Sequence, residues 1–159
     1  MNIRPAEPRD VPALITMVRE LAEYEKAPEQ AIATQADFAR DLFGESPRVH
    51  ALVVEVSDEV VAYAFYFLNY STWLGRHGIY LEDLYVRPAF RGEGSGKALL
   101  IRLAQECVEK GYGRLDWSVL DWNTPSRDFY AGLGAEGLTE WVPYRVEGNA
   151  LANLARLGN

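Results

Sequence analysis

The sequence predicts an α/β domain built on a mixed sheet. Three observations carry that prediction. Strand and helix patterns follow one another in the order βααβββαβαβ. The middle of the chain is rich in strand formers. One glycine-rich turn leads from a strand pattern into the strongest helical stripe of the chain. No internal repeat, low-complexity tract or linker interrupts the 159 residues, so residues 1–159 read as one domain.

Asn2 to Pro5 form a short strand pattern. Asp10 then reads as a helix N-cap, with Pro12 tolerated in the first turn. Leu14, Ile15, Val18, Leu21 and Ala22 recur at helical spacing, which predicts a helix to about Tyr24. Thr34 with Asp37 three residues later makes a capping box for a second helix over residues 35–43, ended by Gly44. Residues 51–56 are strand formers, and Ser57-Asp58-Glu59 reads as a tight turn. Residues 60–69 alternate and are heavily aromatic, which predicts a long strand. A loop is expected over residues 71–78 and a strand over residues 79–86, ended by Pro88. Leu99, Leu100, Leu103, Ala104, Cys107 and Val108 stripe the main helix, which closes on Lys110 and a C′ glycine, Gly111. Residues 114–120 predict a strand. Thr124-Pro125 reads as N-cap and N1 of a short helix that Gly134 closes. Residues 135–138 and 141–146 predict final strands, and residues 150–157 a weak terminal helix.

Composition narrows the function classes. With 16 Lys+Arg against 23 Asp+Glu the net charge is −7. That balance argues against nucleic acid and anionic membranes as partners, because phosphate-tracking surfaces need excess Lys and Arg. It suits a cationic partner, or simple solubility. The single cysteine, Cys107, excludes a disulfide framework, and two histidines, His50 and His77, are too few for a zinc constellation. No metal is expected. No stretch approaches the ~20 apolar residues of a membrane span and the start has no apolar leader, so the expectation is a cytoplasmic protein.

The turn Arg91-Gly92-Glu93-Gly94-Ser95-Gly96-Lys97 stands where backbone N–H groups and a helix N-terminus can cradle phosphate. Two phosphate-binding motifs fail here. A P-loop needs glycine at 91 and Ser or Thr at 98, where Arg91 and Ala98 stand; a dinucleotide fingerprint from Gly92 needs glycine at 97, where Lys97 stands.

The segment instead resembles the R/Q-x-x-G-x-G/A pyrophosphate loop of the GNAT acetyltransferases, with Arg91, Gly94 and Gly96 on the motif positions. Further segments are similar to the diamine (spermidine/spermine) acetyltransferase subfamily. They are Glu20-Leu21-Ala22-Glu23-Tyr24-Glu25, Trp73-Leu74-Gly75, Tyr80-Leu81-Glu82-Asp83-Leu84-Tyr85-Val86, Trp122-Asn123-Thr124-Pro125-Ser126, and Phe129-Tyr130 followed by Gly134-Ala135. The resemblance spans about residues 3–146. It implies the GNAT fold, a mixed, mostly antiparallel twisted sheet flanked by helices. It also implies acetyl-CoA as co-substrate, and a homodimer.

Acetyl transfer to an amine poses two proton problems. A primary amine with a pKa near ~10 arrives protonated, and the leaving thiolate benefits from a proton. Glu82 is an acidic residue in an otherwise apolar strand beside Asp83, a setting that raises a carboxyl's pKa. Adjacent strand residues point to opposite faces, so one of the two is expected to face a given cleft. The resemblance gives Glu82 the base's position, acting through water; the alternative is a structural role at a strand edge. Tyr130 takes the position of the acid, and Phe129 beside it is expected in the core.

For the co-substrate, the resemblance implies backbone contacts from Gly92, Glu93, Gly94, Ser95 and Gly96, helped by Arg91 and Lys97. It implies main-chain groups of Leu84, Tyr85 and Val86 along the pantetheine arm, as an added strand would offer, and polar contacts from Asn123 and Ser126, whose plain role is helix capping. For the acceptor it places Tyr24, Glu25, Trp73, Glu82 and Asp83 around a cation. Glu140-Trp141 departs from the acidic, serine-rich stretch expected of the eukaryotic polyamine enzymes. Cys107, on the apolar stripe, reads as core.

The implied function is an acetyl-CoA-dependent N-acetyltransferase. Its acceptor is a small cationic amine, a polyamine or a lysine-like amino acid, and transfer is direct within a ternary complex. The rival readings are a non-catalytic acetyl-CoA or amine sensor on the same fold, and a protein or peptide N-acetyltransferase.

Overall fold

The computed structural model describes residues 1–158 and falls into two compact units, Met1–Leu120 and Asp121–Asn159. The first holds a five-stranded sheet whose spatial order follows the chain: β1 (Asn2–Pro5), β2 (Val49–Val56), β3 (Glu59–Ser71), β4 (Arg76–Val86) and β5 (Leu115–Trp117). Every pairing is antiparallel except β4 with β5. The parallel pair needs a crossover, and the chain makes it with the helix α3 (Ser95–Lys110).

The helices α1 (Val11–Tyr24) and α2 (Gln35–Phe43) are joined to the sheet through one apolar cluster. Leu14, Met17 and Leu42 meet Ala51, Val53, Val60, Tyr63 and Tyr85, with Phe38 and Phe65 packed at its border. The alternate residues Leu52, Val54, Ala62 and Ala64 are buried as well, so both faces of the central strands are covered. α3 packs on β3 and β4 and buries Leu99, Leu100, Leu103 and Cys107. Cys107 is a core residue, and its thiol lies 3.6 Å from the Arg114 carbonyl.

Local signals explain most boundaries. The capping box forms, with Thr34 Oγ1 accepting from Asp37 N–H and Asp37 Oδ2 accepting from Thr34 N–H. Gly111 ends α3 at φ 69° in the left-handed region. Ser57 and Asp58 both have positive φ, the conformation a tight two-residue hairpin requires.

Several expectations change. The loop over residues 71–78 shrinks to residues 72–75, because β3 and β4 continue pairing out to Ser71 and Arg76. The strand expected over residues 114–120 forms only over Leu115–Trp117. Residues 135–138 and 141–146 form no strand. An alternating pattern becomes a strand only with a ladder partner, and none is present among the described residues, where Trp141, Val142 and Tyr144 are exposed. Finally, N-capping of α4 (Thr124–Gly132) falls to Asn123, one residue earlier than expected. The terminal helix α5 runs over Gly148–Arg156.

Asp10 flanks α1 as expected but makes no side-chain cap to it. Its carboxylate instead receives Arg4 Nη1 at 2.7 Å, Arg4 Nη2 at 3.0 Å and the Glu7 N–H at 2.7 Å. Burial pushes this carboxyl up, and the Arg4 and Glu7 bonds outweigh burial and hold it below its ordinary value. Arg4 also binds Glu55 on β2, at 2.6 Å. Asp10→Ala is therefore expected to cost about 3 kcal/mol, the scale of a broken buried ion pair, and not the ~1 kcal/mol of a lost cap. The shift of a urea-unfolding midpoint reads the difference.

Candidate active site

The central feature is an irregularity in β4. Tyr66 pairs with Leu81, but Phe65 pairs with Asp83, so Glu82 is an extra residue with no partner in register. Continued without the bulge, the ladder would set Glu82 opposite Phe65 and Asp83 opposite Ala64. The bulge moves Asp83 into the place Glu82 would have held, on the face shared by Phe65, Tyr63 and Tyr85. Strict alternation therefore does not sort these two acids. Glu82 is exposed, while Asp83 is partly buried.

Asp83 is the perturbed group. Burial, and then the charge of Glu82, push its carboxyl up to about 6. The Tyr63 hydroxyl, donating to Asp83 Oδ2 at 3.3 Å, works in the opposite direction, and Glu25 adds to the rise. Partial enclosure also raises the Glu25 carboxyl. Tyr63 is fully buried, and its phenol is held well above its ordinary value by burial and by Asp83. Two carboxylates in each other's field beside a phenol make a place where a cation relieves repulsion.

Tyr24 and Glu25 reach this region because α1 stops abruptly. Lys26 adopts φ 63°, and Ala27 N–H closes back on the Ala22 carbonyl at 2.9 Å, a Schellman-type end without the usual glycine. The Arg91 guanidinium then lies 5.5 Å from the Tyr24 ring centre and 5.6 Å from that of Tyr85, while its Nε donates to the Val86 carbonyl at 2.8 Å. Arg91 thus ties the end of β4 to the end of α1.

The glycine loop fits an anionic ligand. Gly92 and Gly94 sit at φ 83° and 86°, and a Cβ on either would meet nothing within 4 Å. Glycine is needed here for backbone shape. Gly94 is the N-cap of α3, and the first closing bond runs from Ala98 N–H to the Gly94 carbonyl. The N–H groups of Ser95, Gly96 and Lys97 therefore have no acceptor within the helix, and a 16-residue helix directs its positive end at them. β4 offers a second fit. Its pairing with β5 ends at Leu81 with Trp117, so residues 82–86 have no strand neighbour on that side among the described residues. An open edge at Leu84, Tyr85 and Val86 can take an extended chain of donors and acceptors.

Trp73 is not brought to this cluster. It is 91% exposed in the β3–β4 turn. Glu82 lies six residues into β4, roughly 20 Å away along a strand rising about 3.3 Å per residue. In the second unit, Asn123 Oδ1 accepts from the Ser126 N–H at 3.3 Å, the capping role expected of this pair. Tyr130 lies on α4, with its ring centre 5.4 Å from that of Phe129. Phe129 is 38% exposed, so the expected core placement does not hold.

Comparison with known proteins places this geometry. The sequence model of the Acetyltransferase (GNAT) family matches residues 14–135. The chain belongs to that family. It is an N-acetyltransferase, and the family's co-substrate is acetyl-CoA. Among similar proteins, the thialysine N-epsilon-acetyltransferase of Bos taurus is 42% identical over 164 residues, covering 96% of each chain. The L-ornithine N5-acetyltransferase of Arabidopsis thaliana is 29% identical, over 98% of this chain and 88% of its own. A solved structure, an integron cassette protein from the mobile metagenome of V. cholerae, superposes with a TM-score of 0.82 at 28% identity, covering 98% of this chain and 97% of its own.

Sequence reasoning missed Tyr63. It stands in an aromatic stretch that reads as core and sheet surface, and nothing local distinguishes it from Phe65 or Phe67. Its raised partner has a measurable consequence. Asp83 holds its proton more tightly folded than unfolded, so its own contribution to stability is fully present below about pH 4 and is lost as pH rises through about 6. Asp83→Asn is expected to match wild type at pH 4 and to exceed it at pH 8 by up to about 3 kcal/mol. Urea midpoints at the two pH values read the effect.

Proposed function

We propose that this N-acetyltransferase acetylates the primary amine of a small cationic acceptor, with a lysine-like amino acid as the leading class. The observation that carries the reading is the pair of raised carboxyls, Glu25 and Asp83, in the same unit as the glycine loop, whose Arg91 lies over the ring of Tyr24, the neighbour of Glu25. An ammonium beside these carboxyls stabilises the charged forms that burial disfavours. The names of the thialysine and ornithine acetyltransferases support an amino-acid acceptor with a terminal amine.

Acetyl-CoA supplies the acetyl group as an activated thioester. Its pyrophosphate is assigned to the N–H groups of Gly92, Glu93, Gly94, Ser95 and Gly96, with Arg91 and Lys97 as flanking charges, and its pantetheine arm to the open edge at Leu84, Tyr85 and Val86. Asn123 and Ser126 keep the polar role the family resemblance gives them. Tyr24, Glu25 and Asp83 hold the acceptor's cation. Glu82 accepts the ammonium's proton through water; its exposure leaves it accessible to that water. Tyr130 donates to the departing thiolate, and transfer is direct within a ternary complex. The family match crosses from the first compact unit into the second, which supports reading the chain as one catalytic domain.

The assembly belongs to the same proposal. A homodimer is favoured by exposed apolar side chains on the second unit, Trp141, Val142 and Tyr144, and by Leu151, Leu154 and Leu157 at helical spacing. Its place is the cytoplasm, where the lone thiol of Cys107 stays reduced.

The decisive experiment is a panel of amines with purified protein and acetyl-CoA, read as thiol release. Turnover is expected to be best with basic amino acids carrying a terminal primary amine. Tyr130→Phe on the best acceptor is expected to lower kcat by about 100-fold, and a value within about twofold of wild type sinks the acid assignment. Sedimentation equilibrium is expected to give twice the chain mass; a monomer at micromolar concentration removes the dimer.

A further inference from the structure

Tyr63 has no role in the acetyl-transfer scheme above, yet its position is unusual for a purely structural tyrosine. It is fully buried on the central strand, in the cluster that joins α1 and α2 to the sheet. A phenol so placed must spend its hydroxyl on a partner. The partner is the carboxylate that the β4 bulge turns onto the same face, Asp83. Tyr63 pairs in register with Tyr85, and Asp83 lies two residues before Tyr85, so the contact is the same-face diagonal of an antiparallel pair.

We propose that Tyr63 is a positioning residue for the acceptor pocket: its hydroxyl donates to Asp83, holds that carboxylate in the charged form, and so sets the pH below which a cationic amine is no longer bound. The inference rests on the function proposed above, which places the amine at Asp83 and Glu25. The groups facing Asp83 are few. Glu82 on its own strand and Glu25 after α1 both oppose its charge, and Tyr63 from β3 favours it. Tyr85, beneath the Arg91 guanidinium, completes the surroundings of Tyr63. Glu25 and Tyr63 therefore pull the same carboxyl in opposite directions, and their removal has opposite signs.

The test is carboxyl-carbon NMR of Asp83 in the free protein, together with pH profiles of amine acetylation. Tyr63→Phe keeps the ring and its packing while removing the donor. The Asp83 midpoint is expected to rise by roughly half to one pH unit, the scale of one hydrogen bond. The acidic limb of kcat/KM for the amine is expected to move up by the same amount, roughly three- to tenfold in rate on that limb. The kcat profile stays in place, because a bound ammonium holds Asp83 charged in either variant. Glu25→Gln is expected to move the midpoint and the limb down. In the wild-type protein labelled at the tyrosine ζ-carbon, the Tyr63 resonance is expected to titrate with the Asp83 midpoint, which keeps the test open should Tyr63→Phe fold poorly.

An unmoved midpoint in Tyr63→Phe, or a Tyr63 resonance blind to Asp83, overturns the proposal. So does a midpoint that moves while the kcat/KM limb does not, since Asp83 then does not serve the amine. If wild type acetylates no amine, the proposed function is what fails, while the titrations still read the Tyr63–Asp83 contact.

Discussion

One extra residue in β4 organises the site. An antiparallel ladder repeats every two residues, so inserting Glu82 exchanges the faces of everything that follows it. Asp83 and Tyr85 are brought to the face of α1, and Leu84 and Val86 to the face of α3. The same shift sets Asp83 diagonal to Tyr63 and leaves Glu82 exposed. The adjacent acids thereby acquire different environments although they are neighbours in sequence. One is partly buried with a raised pKa; the other stays in reach of water. Two carboxyl groups given separate surroundings can take separate tasks, holding a cation and accepting a proton.

A second constraint acts on the same strand from its other edge. β5 follows β4 only as far as Leu81 and Trp117. Beyond that point the edge of β4 is open, and it leads through Pro88 to the glycine loop and the N-terminus of α3. The bulge and the open edge begin within one residue of each other, so β4 changes its surroundings on both sides at Glu82. Arg91 closes the arrangement through the Val86 carbonyl and the rings of Tyr24 and Tyr85. A residue of the glycine loop is thus packed against the end of the helix that Glu25 follows.

Much of this was legible from the residues. The capping box at Thr34, the C′ glycine after α3, the hairpin turn at Ser57-Asp58 and the glycine loop all depend on groups within a few positions of one another, and such local bonds do not need the rest of the fold. The loop's spacing also led to the family, which the match over residues 14–135 bears out. What failed were statements that depend on a distant partner. Residues 135–138 and 141–146 alternate like strands and pair with nothing among the described residues. Asp10 reads as a cap and is spent on Arg4 and the Glu7 N–H. Trp73 reads as a pocket residue and lies in an exposed turn. Phe129 reads as core and is exposed.

By itself, then, the sequence determined the order of elements as far as α4, the glycine-rich loop, the acidic pair on an apolar strand and the family to which the chain belongs. It did so because propensities, caps and motif spacing are short-range. Only the tertiary structure decided which acid is buried, that a core tyrosine bonds to it, and where β4 loses its neighbour. Those outcomes depend on the register between strands far apart in the chain. A single-residue offset there reverses the inward and outward faces without leaving any mark in the local pattern.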